Sequence, residues 1–219
     1  MTRKKANKSL DIISFYMDYI LENNKKPNTV YQFAKAYDIT EEDFYKHFAS
    51  FKVLEASIFS AFFDNTIQAL LKSEDYKSFD ARNKLLSFYY TFFENLTANR
   101  SYVLFVLQEN KNSIKGLQML SPLKHRFSEY IESLEIETID IPQKQIQQIQ
   151  NKALKESAWM QLLLTIKFWM EDTSASFEKT DVFIEKSVNT SFDILNITPL
   201  KSVVDLGKFL FKEKTNMSL

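Results

Sequence analysis

The 219-residue chain has no cysteine, which removes disulfides and thiolate metal sites and fits a reducing compartment. Two glycines and four prolines leave little material for hairpins, so a β-rich fold is disfavoured. An excess of one charge is missing too: 28 basic residues balance 28 acidic ones, and no global field draws the protein to nucleic acid or membrane. No apolar run reaches the roughly 20 residues that span a bilayer. The nearest, Trp159 to Met170, contains Gln161 and Lys167. After the basic N-terminus, Ile12 to Leu21 is interrupted by Ser14 and Asp18, so no signal peptide is expected and a cytoplasmic location is. The two histidines are His47 and His125, there is no glycine-rich phosphate loop, and the adjacent carboxylates Glu41-Glu42 and Glu171-Asp172 point to different sides of a helix. Neither catalysis nor a metal or cofactor site is expected.

What the chain does have is 20 Phe, 10 Tyr and an apolar period that is helical almost throughout, which predicts an all-α fold. A first helix is expected over 9–23, with Leu10, Ile13, Met17, Ile20 and Leu21 as its stripe. A long helix over 52–72 should bury Leu54, Ile58, Ala61, Phe62, Asn65 and Ala69. Further helices are expected from Ser78 or Asp80 to Asn95, from Asn99 through Val106, over 113–134, split or bent near Pro122, and over 142–172. The acidic, β-branched segment 135–141 reads as a loop. A tail over 198–212, with Leu200, Val203, Val204, Leu206, Phe209 and Leu210 in a stripe, predicts an extra amphipathic helix packed on the protein rather than on a membrane.

Residues 29–54 carry the most functional information. Thr29 can cap a short helix that buries Val30, Phe33 and Ala34, Asp38 stands where the chain must turn, and Thr40 can cap a second helix with Phe44, Tyr45 and Phe48. A turn of two or three residues between them is the layout of a helix-turn-helix. Residues 1–54 hold nine basic against seven acidic side chains, and Arg3, Lys4, Lys5 and Lys8 form a basic arm ahead of the first helix, suited to phosphate contact.

This window resembles the DNA-binding segment of the TetR family of bacterial regulators. The likeness rests on Thr29, Phe33-Ala34, Tyr37-Asp38-Ile39-Thr40, Phe44-Tyr45-Lys46-His47-Phe48, Ser50-Phe51-Lys52 and Leu54, of which the Tyr-x-x-Phe-x-Ser run is the most specific part. Three positions depart from it. Asp38 replaces the turn glycine, a change that fits because Asp enters the left-handed region more readily than most residues. Phe51 replaces the lysine that opens the fourth helix, with Lys52 one place later. The second helix opens with Glu41, Glu42 and Asp43, whose carboxylates stabilise a helix N-terminus and can also accept from a cytosine amino group.

The resemblance implies a three-helix head over 1–54 and a helical ligand-binding and dimerisation domain over 55–219. In the head, Thr29, Tyr45, Lys46, His47 and Lys52 would meet phosphates of double-stranded DNA, with Glu41, Glu42 and Asp43 nearest the bases, and the operator would be palindromic. Spacing alone makes the aromatic stripe of the second domain plain core; the resemblance implies that a small apolar effector binds there, near Phe88, Tyr89, Phe92, Tyr102, Phe105, Phe127 and Trp159. It also implies a homodimer through the last helix pair, using Trp169, Phe177, Thr180, Ile184, Val188 and Phe192; packing against the preceding helix is the other reading of that stripe, and both can hold because a helix can present two apolar sides. Two other readings stand beside this one: a lipid- or isoprenoid-binding protein on the same scaffold without DNA binding, and an interaction protein whose acidic helix docks on a basic partner.

Overall fold

A computed structural model describes residues 8–109, 119–136, 144–195 and Phe209, and every regular element among them is helical. The order is α1 (Lys8–Asn23), α2 (Val30–Ala36), α3 (Glu41–Tyr45), α4 (Phe51–Leu71), α5 (Glu74–Ser78), α6 (Ala81–Ala98), α7 (Arg100–Glu109), α8 (Ser121–Ser133), α9 (Lys144–Glu171), a 3₁₀ turn (Ala175–Phe177) and α10 (Glu178–Leu195).

Local chemistry sets most boundaries. Asp80 starts α6 by accepting from the Asn83 N–H at 2.7 Å, and the Asn99 carbonyl opens α7 by accepting from the Val103 N–H at 3.1 Å. Pro122 sits one residue inside α8, in the first turn, where a missing N–H costs no intrahelical bond. It therefore marks a helix start, at the place where a split or bend was expected. The short α5 is an element the sequence reading missed. The expected helix before Ser121, most of the 135–141 loop and the 198–212 tail fall outside the described residues, Phe209 excepted.

The contacts group the chain into two units, Met1–Lys72 with Thr91–Phe127 and Ser73–Tyr90 with Ser128–Leu219. In the first, α1 buries Ile12, Ile13, Tyr16 and Ile20, whereas Leu10 and Leu21 from the expected stripe lie at the surface. The stripe is rotated because Tyr16 supplies the largest surface to bury. The helix α4 buries Leu54, Ile58 and Phe62 as expected, but adds Phe59, Phe63, Thr66 and Leu70 in place of the exposed Asn65 and Ala69. Polar ties cross this unit: Asn95 donates to Thr66 at 2.9 Å, and Arg126 meets Asp64 at 2.6 Å.

In the second unit, the hydroxyls of Tyr76 and Tyr130 lie 2.9 Å apart, and Tyr130 also donates to the Lys84 carbonyl. Helices α9 and α10 pair closely, with Gln161 donating to Ser187 at 3.2 Å and accepting from Ser191 at 3.0 Å. Their junction is held by the buried Asp172. Its two oxygens accept from the backbone and hydroxyl of both Ser174 and Thr180, at 2.7–2.9 Å. Burial pushes this carboxyl up, but the four donors outweigh it and hold it well below the usual carboxylate range. No helix among the described residues is long and apolar enough to cross a membrane.

Candidate nucleic-acid interface

Three hydroxyls shape the head. The Thr29 side chain accepts from the Gln32 N–H at 3.1 Å and starts α2. At the end of α2, the N–H groups of Tyr37 and Ile39 both return to the Ala34 carbonyl, and Asp38 takes φ 51°, the left-handed turn that its short polar side chain tolerates. Thr40 then starts α3 reciprocally: its hydroxyl accepts from the Asp43 N–H at 3.0 Å and donates to the Asp43 carboxylate at 2.9 Å. Ser50 repeats the device for α4, accepting from the Val53 N–H. Each such cap stabilises its helix by about 1 kcal/mol.

The two helices are fixed against α1 and α4 by rings. Phe33 is fully buried and contacts the rings of Tyr16, Tyr19, Tyr37, Phe44 and Phe51 at centroid distances of 5.3–6.3 Å. Phe51 also stacks on Tyr16 at 5.3 Å and meets Phe44 at 5.2 Å. The residue standing where the resemblance expects a phosphate-binding lysine is thus half-buried in the head's ring cluster. Tyr37 stacks on Phe15 at 4.8 Å, and burial, with Glu22 and Asp18 nearby, raises its phenol above the ordinary value.

With Phe44 and Phe48 turned inward, α3 and the residues after it present Glu41, Glu42, Tyr45, Lys46 and His47 to solvent. Thr29 and Lys52 are exposed as well, and Asp43 is half-buried against Thr40. The cation on this face is not isolated: Lys46 Nζ lies 2.8 Å from Glu42 and 3.9 Å from Asp43, and the hydrogen bond to Glu42 raises its affinity for its proton. Lys52 makes no ion pair among the described residues. The expected contact residues are thus exposed on the head, except for the half-buried Asp43, and one of the lysines is ion-paired. Tyr31 and Val53 are exposed head residues that the periodicity did not single out, because each lies off its helix's apolar stripe.

The expected ligand residues are mostly buried. Phe88, Tyr89, Phe92, Tyr102 and Phe127 are fully buried, Trp159 nearly so, and Phe105 is half-buried. They are divided between the two units, with Phe92, Tyr102, Phe105 and Phe127 in the first and Phe88, Tyr89 and Trp159 in the second. Burial raises the phenols of Tyr89 and Tyr102 far above the ordinary value. A cavity of about 510 Å³ in the second unit is lined by none of these, but by α9 and α10 residues such as Met160, Leu164, Phe183, Phe192 and Ile194.

The expected dimer stripe packs largely within the chain. Trp169, Thr180, Ile184 and Val188 are at most 1% exposed within the single chain, so they pack inside it and are not free for a partner. Phe177 packs 6.3 Å from Trp169, and Phe192 lies beneath the Arg82 guanidinium, which also binds Asp193. Each helix has two apolar sides, and the outward one comprises Met160, Leu164, Phe168, Val182 and Ile194, with Phe168 stacked on Phe183 at 4.6 Å. Spacing shows that a helix has a stripe, not which neighbour covers it. Among the described residues no cluster of His, Asp or Glu could hold a metal ion.

Residues 84–210 match the family model described as "Tetracyclin repressor-like, C-terminal domain", which covers more than half of the chain. Among solved structures, the TetR transcriptional regulator from Nitrosomonas europaea ATCC 19718 is similar in fold, with a TM-score of 0.59 and 14% identity over 83% of this chain and 96% of that one. No curated protein matches the sequence.

Proposed function

From the premise that the chain belongs to the TetR family of transcriptional regulators, we propose that it acts as a homodimer that binds a palindromic operator through the 1–54 head and releases it when a small apolar effector enters the 55–219 bundle. The observation that carries this reading is the pair of Thr-capped helices around Asp38, with the outer face of α3 left open to solvent while its inner face is locked on Phe33. Such a rod fits the major groove, and its N-terminal residues reach base edges. Here these are Glu41, Glu42 and Asp43, acceptors that suit a cytosine amino group. Thr29, Tyr45, Lys46, His47 and Lys52 flank them as phosphate contacts.

Operator reading calls for two heads about one DNA turn apart, hence a two-fold dimer. The outward apolar face of α9 and α10 is the surface we assign to it, with Met160, Leu164, Phe168, Val182 and Ile194 at its centre. The effector would be taken up among the aromatic side chains of the bundle and shift α4, changing the separation of the heads.

Selection of bound sequences from random duplexes with the purified full-length protein tests this. Enrichment of a palindrome supports it; failure to enrich any sequence refutes operator binding. The Lys46–Glu42 pair and the inward Phe51 favour one other reading, a lipid- or isoprenoid-binding protein on this scaffold that has lost DNA binding. A lipid retained in native mass spectrometry, together with no enriched sequence, would support that reading instead.

A further inference from the structure

Glu55 is buried in the second turn of α4, and its Oε1 accepts from two donors, the Tyr16 hydroxyl of α1 at 2.6 Å and the Lys26 ammonium at 2.8 Å. A carboxylate taken out of water persists as a charge only with such partners. Lys26 stands in the connection that leads to α2. The helix α1 stops at Asn23, Asn24 takes φ 50°, the left-handed conformation that commonly ends a helix, and Lys26 then reaches α4. Pro27, next in the chain, is buried, and Thr29, two residues further, starts α2. Three places thus meet on one oxygen: the start of α4, the middle of α1 and the entry to α2. The ring cluster seats α2 through Phe33, one turn into that helix, whereas the Lys26 pair acts ahead of its first residue. Lys26 remains 33% exposed, and a pair of this kind adds little net stability because desolvation of the carboxylate offsets the attraction. Its effect on position is not diminished in that way.

We propose that Glu55 is a positioning residue of the head: by holding Lys26 and Tyr16 together it fixes the entry to α2, and so Thr29, relative to the start of α4, where Lys52 stands. Thr29 and Lys52 flank α3 in the chain, and both are exposed. Phosphates along a duplex have a fixed spacing, so two contacts add up only when the protein holds them at a matching separation. The consequence for binding rests on the reading of the head as a DNA-binding unit; the geometry does not.

The test combines Lys26→Met with Glu55→Gln in the full-length protein. One positive and one negative charge leave together, the Tyr16 hydroxyl keeps an acceptor, and no buried charge is stranded. Affinity for a random-sequence duplex, with the folded fraction checked by urea unfolding, should fall roughly two- to tenfold, the worth of one hydrogen bond. Positioning predicts a loss in each single variant as well, whereas charge alone makes Glu55→Gln bind more tightly and Lys26→Met less. Unchanged affinity in the paired variant, or opposite signs in the single ones, overturns the proposal. A wild-type protein that binds no duplex would end the DNA-binding reading, and the geometry is then decided by spin labels, for which the chain offers no competing cysteine. Labels at Lys35→Cys on α2 and Leu71→Cys, about 30 Å along α4 from its start, should give a narrow distance distribution in the parent and a broader one in the paired variant. Equal widths overturn the positioning role.

Discussion

Replacing Glu42 by Gln should strengthen binding to random-sequence DNA, because Glu42 both places a carboxylate on the exposed side of α3 and occupies Lys46 at 2.8 Å. Glu42→Gln keeps the shape of the side chain, removes the repulsion and releases Lys46 toward a phosphate. One added phosphate contact steepens the fall of log K with log salt by about 0.9. Lowering salt from about 0.2 M to about 0.05 M is a fourfold change, so the advantage of the variant over wild type should grow by roughly 3.5-fold across that range. The assay is fluorescence anisotropy of a labelled duplex titrated at four or more salt concentrations, first with random sequence and then with any selected operator. Lys46→Ala sharpens it: this change should cost little in the wild-type protein, where Glu42 holds the ammonium, and clearly more once Glu42→Gln is present. Equal affinities and equal slopes for wild type and Glu42→Gln would refute the argument that the ion pair restrains binding.

Three other expectations come from the packing. Phe33→Ala empties the centre of a ring cluster and should cost about 3–5 kcal/mol, a large part of the roughly 5–15 kcal/mol of a whole domain, and a urea midpoint shift worth under 1 kcal/mol would contradict its central place. Leu164→Glu should turn a dimer into a monomer in sedimentation velocity with helix content kept, whereas Ile184→Ala should lower stability by about 2–5 kcal/mol and leave the dimer intact; the opposite pattern would return the interface to the inner stripe. Asp172 has its carboxyl depressed in the folded state, so its contribution is complete above the unfolded value near pH 4 and is lost as pH falls below that. Asp172→Asn should therefore lower the urea midpoint at neutral pH and flatten its decline below about pH 4, and parallel acid limbs for the two proteins would exclude this role.

Much of the head was legible from residues 29–54, because its signals are local. A capping hydroxyl acts on an N–H three residues away, as Thr29, Thr40 and Ser50 do, and Asp38 needs only its own backbone to reach the left-handed region. The all-α class followed from period and from the scarcity of glycine and proline in the same way. What the sequence did not contain was which neighbour each apolar side meets. Tertiary packing alone sent Phe51 into the ring cluster, turned α1 onto Tyr16, buried Ile184 and Val188 and left Leu164 and Val182 outside. It also brought Glu55, Tyr16 and Lys26 together across distant parts of the chain. Periodicity measures the presence of an apolar side; the direction it faces depends on which elements compete to cover it, and that competition is settled only when the whole chain packs.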